Sequence, residues 1–261
     1  MNFPALFVSH GSPMLAIERT PAAQFLAGLA KALPRPRAIL AVSAHWESAA
    51  PMLNAVERNE TIHDFLGFPS PLYALHYPAP GDAALASDIA ERLHAAGFPA
   101  GIDTTRGLDH GAWVPLLLAW PDADIPTLQL SVQTRLGPRH AFAIGRALAP
   151  LRAQGVLVLG SGSFTHDLRR FRGQSLDAPE SLDVTAFSDW MDAAILRRDT
   201  EALLAYRALA PHAVDEHPTE EHLLPLFTAL GAGGEGAARR LHRSTEYGVL
   251  RMDAYGFGIA A

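Results

Sequence analysis

Three features of the 261-residue sequence predict an α/β fold. Apolar runs of strand length recur along the chain, amphipathic segments of helix length separate them, and turn-forming clusters follow the runs directly. Alternation of strand and helix over the whole length argues for one domain, residues 1–261. Its core would be a central mixed, largely parallel β-sheet flanked by helices. Ligands of such sheets bind at the carboxyl ends of the strands, and this chain places histidines there. The run Ala5 to Val8 stops at Ser9-His10-Gly11-Ser12-Pro13, the run Ala38 to Val42 is followed by His45, and the run Val156 to Leu159 is followed by His166. Three buried strands that each deliver a histidine near the same edge predict one shared site.

The elements follow in order. Thr20 to Leu33 reads as a helix, with Pro21 at the favoured first position and Phe25, Leu26, Leu29 and Leu33 at helical spacing. Pro34 and Pro36 break it, and Arg37 to Ala44 is the next strand. Pro51 to Val56 is a further strand. Glu57 to Gly81 is a long loop carrying His63, Phe65, Phe68, Tyr73, His76 and Tyr77, suited to a lid or a pocket wall. Asp82 to Ala96 is an amphipathic helix closed by Gly97. A short strand near Ile102 leads into Asp109-His110, flanked by Gly107 and Gly111, and a short buried helix spans Trp113 to Trp120. Thr127 to Val132 is a strand, Arg139 to Gln154 a helix, and Gly155 to Gly160 a buried strand. Helices follow at Ser181 to Arg198 and Glu201 to Ala208. His217-Pro218-Thr219-Glu220-Glu221-His222 is expected to open another helix, Gly231 to Gly236 to be a flexible link, and Thr245 to Gly256 to be a final strand.

Composition narrows the chemistry. With 21 basic and 27 acidic side chains the net charge is −6, and no basic run is present, so nucleic acid and anionic membranes are poor partners. No apolar stretch is long enough to span a bilayer, and the start lacks the basic region of a signal peptide, so the expected setting is the cytoplasm. There are no cysteines, which removes disulfides and thiolate metal sites. A transition-metal site must then use His, Asp or Glu, and zinc, iron, manganese or nickel suit those donors. Of 12 histidines, His94, His140 and His242 stand in helix-like or arginine-flanked contexts and read as structural.

The strongest candidate site is a metal bound by His10, His45 and a residue of Glu221-His222. Two imidazoles and a third ligand with open positions fit a non-haem iron(II) centre, and equally a zinc hydrolase with a bound water. On a helix, adjacent Glu221 and His222 would point about 100° apart, so only one would face the metal. Gly160 to Phe164 (GSGSF) matches neither a nucleophile elbow nor a phosphate loop, and reads as a tight turn that swings His166 toward the site. HWE at 45–47 is not the zincin H-E-x-x-H.

The segments SHGSP, SAHWE, IHDFLGFP, LYALHYPAPG, DHGAWVPL, LQLSV and PTEEHLLPL, in this order over nearly the whole chain, resemble the 4,5-DOPA extradiol dioxygenase family. That family belongs to the class III extradiol enzymes, the superfamily of the protocatechuate 4,5-dioxygenase β subunit. The resemblance implies that His10, His45 and His222 are metal ligands, with Glu221 as the alternative third ligand. It also implies that His166 sits at the metal as a further ligand or as acid/base, and that His110 lines the pocket; the catalytic proton shuttle is assigned to His166 first and His110 second. His217 departs from the pattern, where relatives often have Asn. The implied cofactor is Fe(II), with Zn(II) able to occupy the site, and the implied substrates are a DOPA-like catechol and O2, giving a semialdehyde. Arg106 is a candidate for holding the substrate carboxylate. The competing readings are a zinc-dependent hydrolase and a non-enzymatic member of the same fold. Nothing in the sequence points to a particular oligomeric state.

Overall fold

The structure, a computed structural model, describes residues 2–171 and 173–259. In chain order the strands are β1 Ala5–Ser9, β2 Ala38–Glu47, β3 Met52–Asn54, β4 Gly101–Asp103, β5 Thr127–Val132, β6 Val156–Gly162, β7 Ala237–His242, β8 Thr245–Glu246, β9 Leu250–Arg251 and β10 Ala254–Ile259. The helices are α1 Pro21–Ala32, α2 Ser70–Tyr73, α3 Ala83–Ala95, α4 His110–Ala119, α5 Gly137–Leu148, α6 Leu182–Arg197, α7 Thr200–Leu204, α8 Tyr206–Leu209, α9 Ala213–Glu216 and α10 Leu224–Gly233. Eight strands form one sheet in the order β4-β3-β5-β2-β6-β1-β10-β7, and β8 and β9 form a separate hairpin.

Four central strands, β5, β2, β6 and β1, run parallel, and β3 and β10 lie antiparallel beside them. The sheet is therefore mixed with a parallel centre, as the alternation of elements predicts. The central strands read as continuous apolar runs because both faces are covered. Ala5, Phe7, Leu40, Val42, Val156 and Val158 pack toward α3, α5, α6 and α10. Leu6, Val8, Ile39, Ala41, Leu157 and Leu159 pack toward α1 and α4. Period-two alternation along each strand thus feeds two separate apolar layers.

Several boundaries differ from the sequence reading. The helix expected over 217–222 is a series of turns, and α10 begins only at Leu224, with Pro225 in its first turn. The reason is visible on β6: the His222 carbonyl accepts from Ser163 N at 2.8 Å, so this backbone is tied to the sheet instead of to its own next turn. The glycines of GSGSF belong to β6 itself and not to a turn. A Cβ on Gly160 would lie 2.2 Å from the Pro225 carbonyl oxygen, and one on Gly162 2.0 Å from that of His222. These glycines let the 222–225 segment lie directly on the strand. Gly231 to Gly233 is the end of α10, packed on Phe142 and Phe257, and not a link. The single final strand expected over 245–256 is the β8–β9 hairpin followed by β10, and β7 had no clear sequence signal, because its residues are largely polar and only half buried. The helix expected to Gln154 ends at Leu148 and continues as a 3-10 turn.

Two glycine substitutions test this packing. Gly160→Ala is expected to lower stability by about 1–3 kcal/mol or more through its backbone clash. Gly28→Ala, in α1 with nothing within 4 Å of the new methyl, is expected to raise it by about 0.5–1 kcal/mol. Urea unfolding of both variants measures the difference.

Candidate metal centre and active site

His10 follows the last residue of β1 and is 1% exposed. His45 stands near the end of β2, where the register against β5 shifts between Val42 and Glu47. An irregularity of this kind re-aims a side chain at a strand end. His222 comes from the turn laid across β6. These three rings meet: His45 Nε2 lies 3.0 Å from His10 Nε2 and 3.3 Å from His222 Nε2. The three strand-end and turn residues singled out from the sequence therefore share one point.

The opposite nitrogen of each ring faces an oxygen. His10 Nδ1 is 3.0 Å from Ser161 Oγ, His222 Nδ1 is 2.9 Å from Glu221 Oε1, and His45 Nδ1 is 3.7 Å from Asp64 Oδ2. Glu221 and His222 are not splayed as they would be on a helix, since the turn lets the carboxylate fold back onto its neighbour's ring. Asp64 also accepts the His110 backbone N–H at 2.9 Å, and its Oδ1 lies 3.0 Å from His110 Nδ1.

His110 opens α4, whose N-terminus is capped by buried Asp109 accepting from Ala112 N. Ser43 Oγ donates to Asp109 at 2.6 Å, Arg106 at 3.1 Å, and Gln129 also donates to it. Gly111 is the only residue type that fits here: a Cβ would come within 2.4 Å of Ser43 Oγ and 2.9 Å of His45 Cδ2. The His110 ring sits 4.0 Å from that of His45, centroid to centroid. His166 lies flat on His222, with centroids 3.4 Å apart and planes 13° from parallel. Three overlapping sets of side chains bring their ligand atoms close enough to hold a metal: His10, His45 and His222; His45, Asp64 and His110; and His166, Glu221 and His222.

Burial dominates the electrostatics. Desolvation, reinforced by the neighbouring imidazoles, pushes His10 and His222 well below the ordinary histidine value and His45 down to about 3. Burial also lowers His166, and takes His217 down to about 4. Burial raises the Asp64 carboxyl, but hydrogen bonding and charge from His110 outweigh it, and the net shift is downward. The centre therefore presents neutral imidazoles backed by carboxylate.

Neutral imidazole is the form that binds a metal. Metal–nitrogen bonds of about 2.0–2.1 Å in tetrahedral geometry separate their nitrogens by about 3.3–3.4 Å, close to the spacings here. The three Nε2 atoms thus fit one divalent transition metal, and the nitrogen and carboxylate surroundings suit iron(II) and zinc alike. Beside this point opens a cavity of about 240 Å³. Its floor is His45, His110, His166 and His222, and its walls include Phe65, Phe68, Leu168, Phe171 and Leu250. The long loop of residues 57–81 supplies Phe65 and Phe68 to this wall, whereas Tyr77 is in the core and His76 lines a separate surface hollow. Arg106 does not reach the cavity; it is held by Asp109 and lies 4.6 Å over the Trp46 ring. Sequence reasoning passed over Asp64 and Ser161. Both lie inside segments already notable, IHDFLGFP and GSGSF, but only the fold shows which rings they face.

A doubly covered sheet that gathers three imidazole donors at its strand ends, beside an apolar cavity, has the make-up of a metal-dependent enzyme site. Residues 4–258 match the family model described as LigB, the catalytic LigB subunit of aromatic ring-opening dioxygenase. The chain is 42% identical over 261 residues to a 4,5-DOPA dioxygenase extradiol of Beta vulgaris, covering 96% of this chain and 95% of that protein. It is 40% identical over 237 residues to one of Escherichia coli K12, covering 88% and 85%. The crystal structure of an uncharacterized Escherichia coli K12 protein superposes with a TM-score of 0.83 at 34% identity, over 98% of this chain and 100% of the other. The chain belongs to the LigB family and is a ring-cleaving extradiol dioxygenase. That membership leaves the hydrolase and non-enzymatic readings without support. Among the described residues, no helix is long and apolar enough to cross a membrane.

The lowered histidines set the sign of the acid response. The unfolded chain takes up protons below about pH 6.5, while the folded rings stay neutral to lower pH. The unfolded state then binds more protons, so stability falls as pH falls. The metal-free protein is expected to lose urea resistance steadily from about pH 6.5 down toward the folded values of about 3 for His45 and about 4 for His217. A series of urea midpoints against pH checks this; a flat profile would contradict neutral burial.

Proposed function

We propose that this chain is an iron(II)-dependent extradiol dioxygenase that opens the ring of a DOPA-like catechol with O2, giving a ring-opened semialdehyde. Zinc is expected to compete for the same site during purification. The observation that carries this reading is the convergence of three imidazole Nε2 atoms beside an apolar cavity that two of those rings, His45 and His222, line together with His110 and His166.

His10, His45 and His222 would hold the metal. When bound, it supplies Lewis acidity to the catechol oxygens and a path for electrons from the ring to O2. Glu221 holds His222 by accepting from Nδ1, and so serves the site without being the third donor. Asp64 accepts from the His110 backbone N–H, lies beside that residue's Nδ1 and stands behind His45. Phe65, Phe68, Leu168 and Phe171 receive the aromatic ring and exclude water from the reacting face. The cavity is smaller than the roughly 300–1,000 Å³ typical of drug-sized ligands, which suits a single ring with a short side chain.

Ring opening needs one proton taken from a catechol hydroxyl and one delivered as the O–O bond breaks. His166 and His110 are the candidates, as both line the cavity. Burial keeps His166 neutral and therefore able to accept, and stacking on His222 fixes its ring. His110 is fixed by Asp64, whose carboxylate would stabilise the ring after it takes a proton.

Oxygen uptake by iron(II)-reconstituted protein tests the reading, with DOPA and a panel of simple catechols. One O2 per catechol and a yellow product are expected. His10→Ala and His222→Ala should lose bound metal. His166→Ala and His110→Ala should keep it and turn over about 10²–10⁴-fold more slowly. Protein holding one equivalent of iron that consumes no oxygen with any catechol would sink the proposal. A separate expectation concerns Glu221→Gln: metal affinity measured by competition with a chelator should fall about 10–100-fold.

A further inference from the structure

The hydrogen bonds behind His10 can run in one direction only, and the cause is a proline. Helix α4 contains Pro115. In an α-helix the Gly111 carbonyl would accept from the N–H four residues on, but residue 115 has none to give. The Gly111 oxygen is buried and needs a donor from elsewhere. Ser161 on β6 supplies it: its hydroxyl is hydrogen-bonded to the Gly111 oxygen, and the serine is fully buried.

A carbonyl oxygen only accepts, so the single hydroxyl hydrogen of Ser161 points at Gly111. Toward His10 Nδ1, 3.0 Å away, Ser161 can then offer only lone pairs. His10 Nδ1 must carry the hydrogen in this contact. A neutral imidazole protonated on Nδ1 has a bare Nε2, and Nε2 is the atom that lies 3.0 Å from His45 Nε2. We infer that Ser161 is a positioning residue that locks His10 as the Nδ1–H tautomer, and that Pro115 sets the direction of the lock. The chain His10 Nδ1–H to Ser161 Oγ–H to Gly111 C=O presents His10 Nε2 as a donor before any metal arrives. It also ties this ring to the first turn of the helix that carries His110. The functional consequence rests on the proposed reading of His10 as a metal ligand.

The test is the imidazole tautomer in the metal-free protein, read by long-range proton–nitrogen correlation on histidine labelled with nitrogen-15. Cobalt(II) and zinc dissociation constants are measured alongside. In the unaltered protein His10 should carry its hydrogen on Nδ1. Ser161→Ala should let the Nε2–H form appear and weaken metal binding about 10–100-fold. Pro115→Ala keeps the serine but gives Gly111 a helical partner; the freed hydroxyl should turn toward His10, producing a mixed tautomer and a smaller loss of affinity. This second variant covers the case in which Ser161→Ala folds poorly. An Nε2–H tautomer in the unaltered protein would overturn the inference. So would variants whose tautomer and metal affinity match the original. An Nδ1–H His10 in a protein that binds no metal would support the lock and count against the metal reading alone.

Discussion

Everything at the centre depends on the parallel pairing of β1, β6 and β2. Parallel strands end on the same edge, so residues that follow them in sequence are brought together without any local relation to one another. His10 and His45 are 35 positions apart along the chain, yet their Nε2 atoms are 3.0 Å apart because both leave that edge beside β6. The third ring cannot come from a neighbouring strand, since β6 lies between β1 and β2. It comes from above, on a turn that reaches β6 only because Gly160 and Gly162 have no side chains. One strand therefore spaces two rings laterally and admits the third.

Charge follows from that geometry. The rings meet in a place too buried for them to take a second proton, and mutual repulsion adds to the cost of charging any of them. The two carboxylates nearest the site, Asp64 and Glu221, stand one step back, on the far nitrogens of His45 and His222. A divalent cation held by the three rings would thus meet neutral donors directly and two negative charges behind them. Formal charge would balance, and the carboxylates would remain outside the metal's immediate shell. The apolar walls of the cavity keep water from weakening these interactions.

The sheet, its central strands and the histidine set were legible because they rest on local patterns: continuous apolar runs, and polar residues at the points where those runs stop. Membership in a family was legible from ordered segments such as SHGSP and DHGAW. What escaped notice depends on tertiary contact. The segment from His217 to His222 has the composition of a helix start, but its His222 carbonyl accepts from Ser163, directly after β6. GSGSF looked like a turn because glycine is a turn former, whereas here glycine answers to a crossing segment. Asp64 and Ser161 are ordinary residues in sequence, and their importance lies in which nitrogen each one faces. Ser181 to Arg198 was read correctly as a helix, since nothing distant competes for its backbone.

The order of strands also has a bearing on how the molecule is made. β1 is the first strand of the sheet in chain order, but its two neighbours are β6 and β10, with Ala5 opposite Phe257. Until β6 and β10 have paired with it, the first strand lacks the neighbours that fix His10 at its end. Chains of this connectivity cannot mature gradually from the amino terminus. The imidazole cluster forms only once segments 35 and 177 positions apart have closed on one another, so a partly folded chain has no ready-made group of donors.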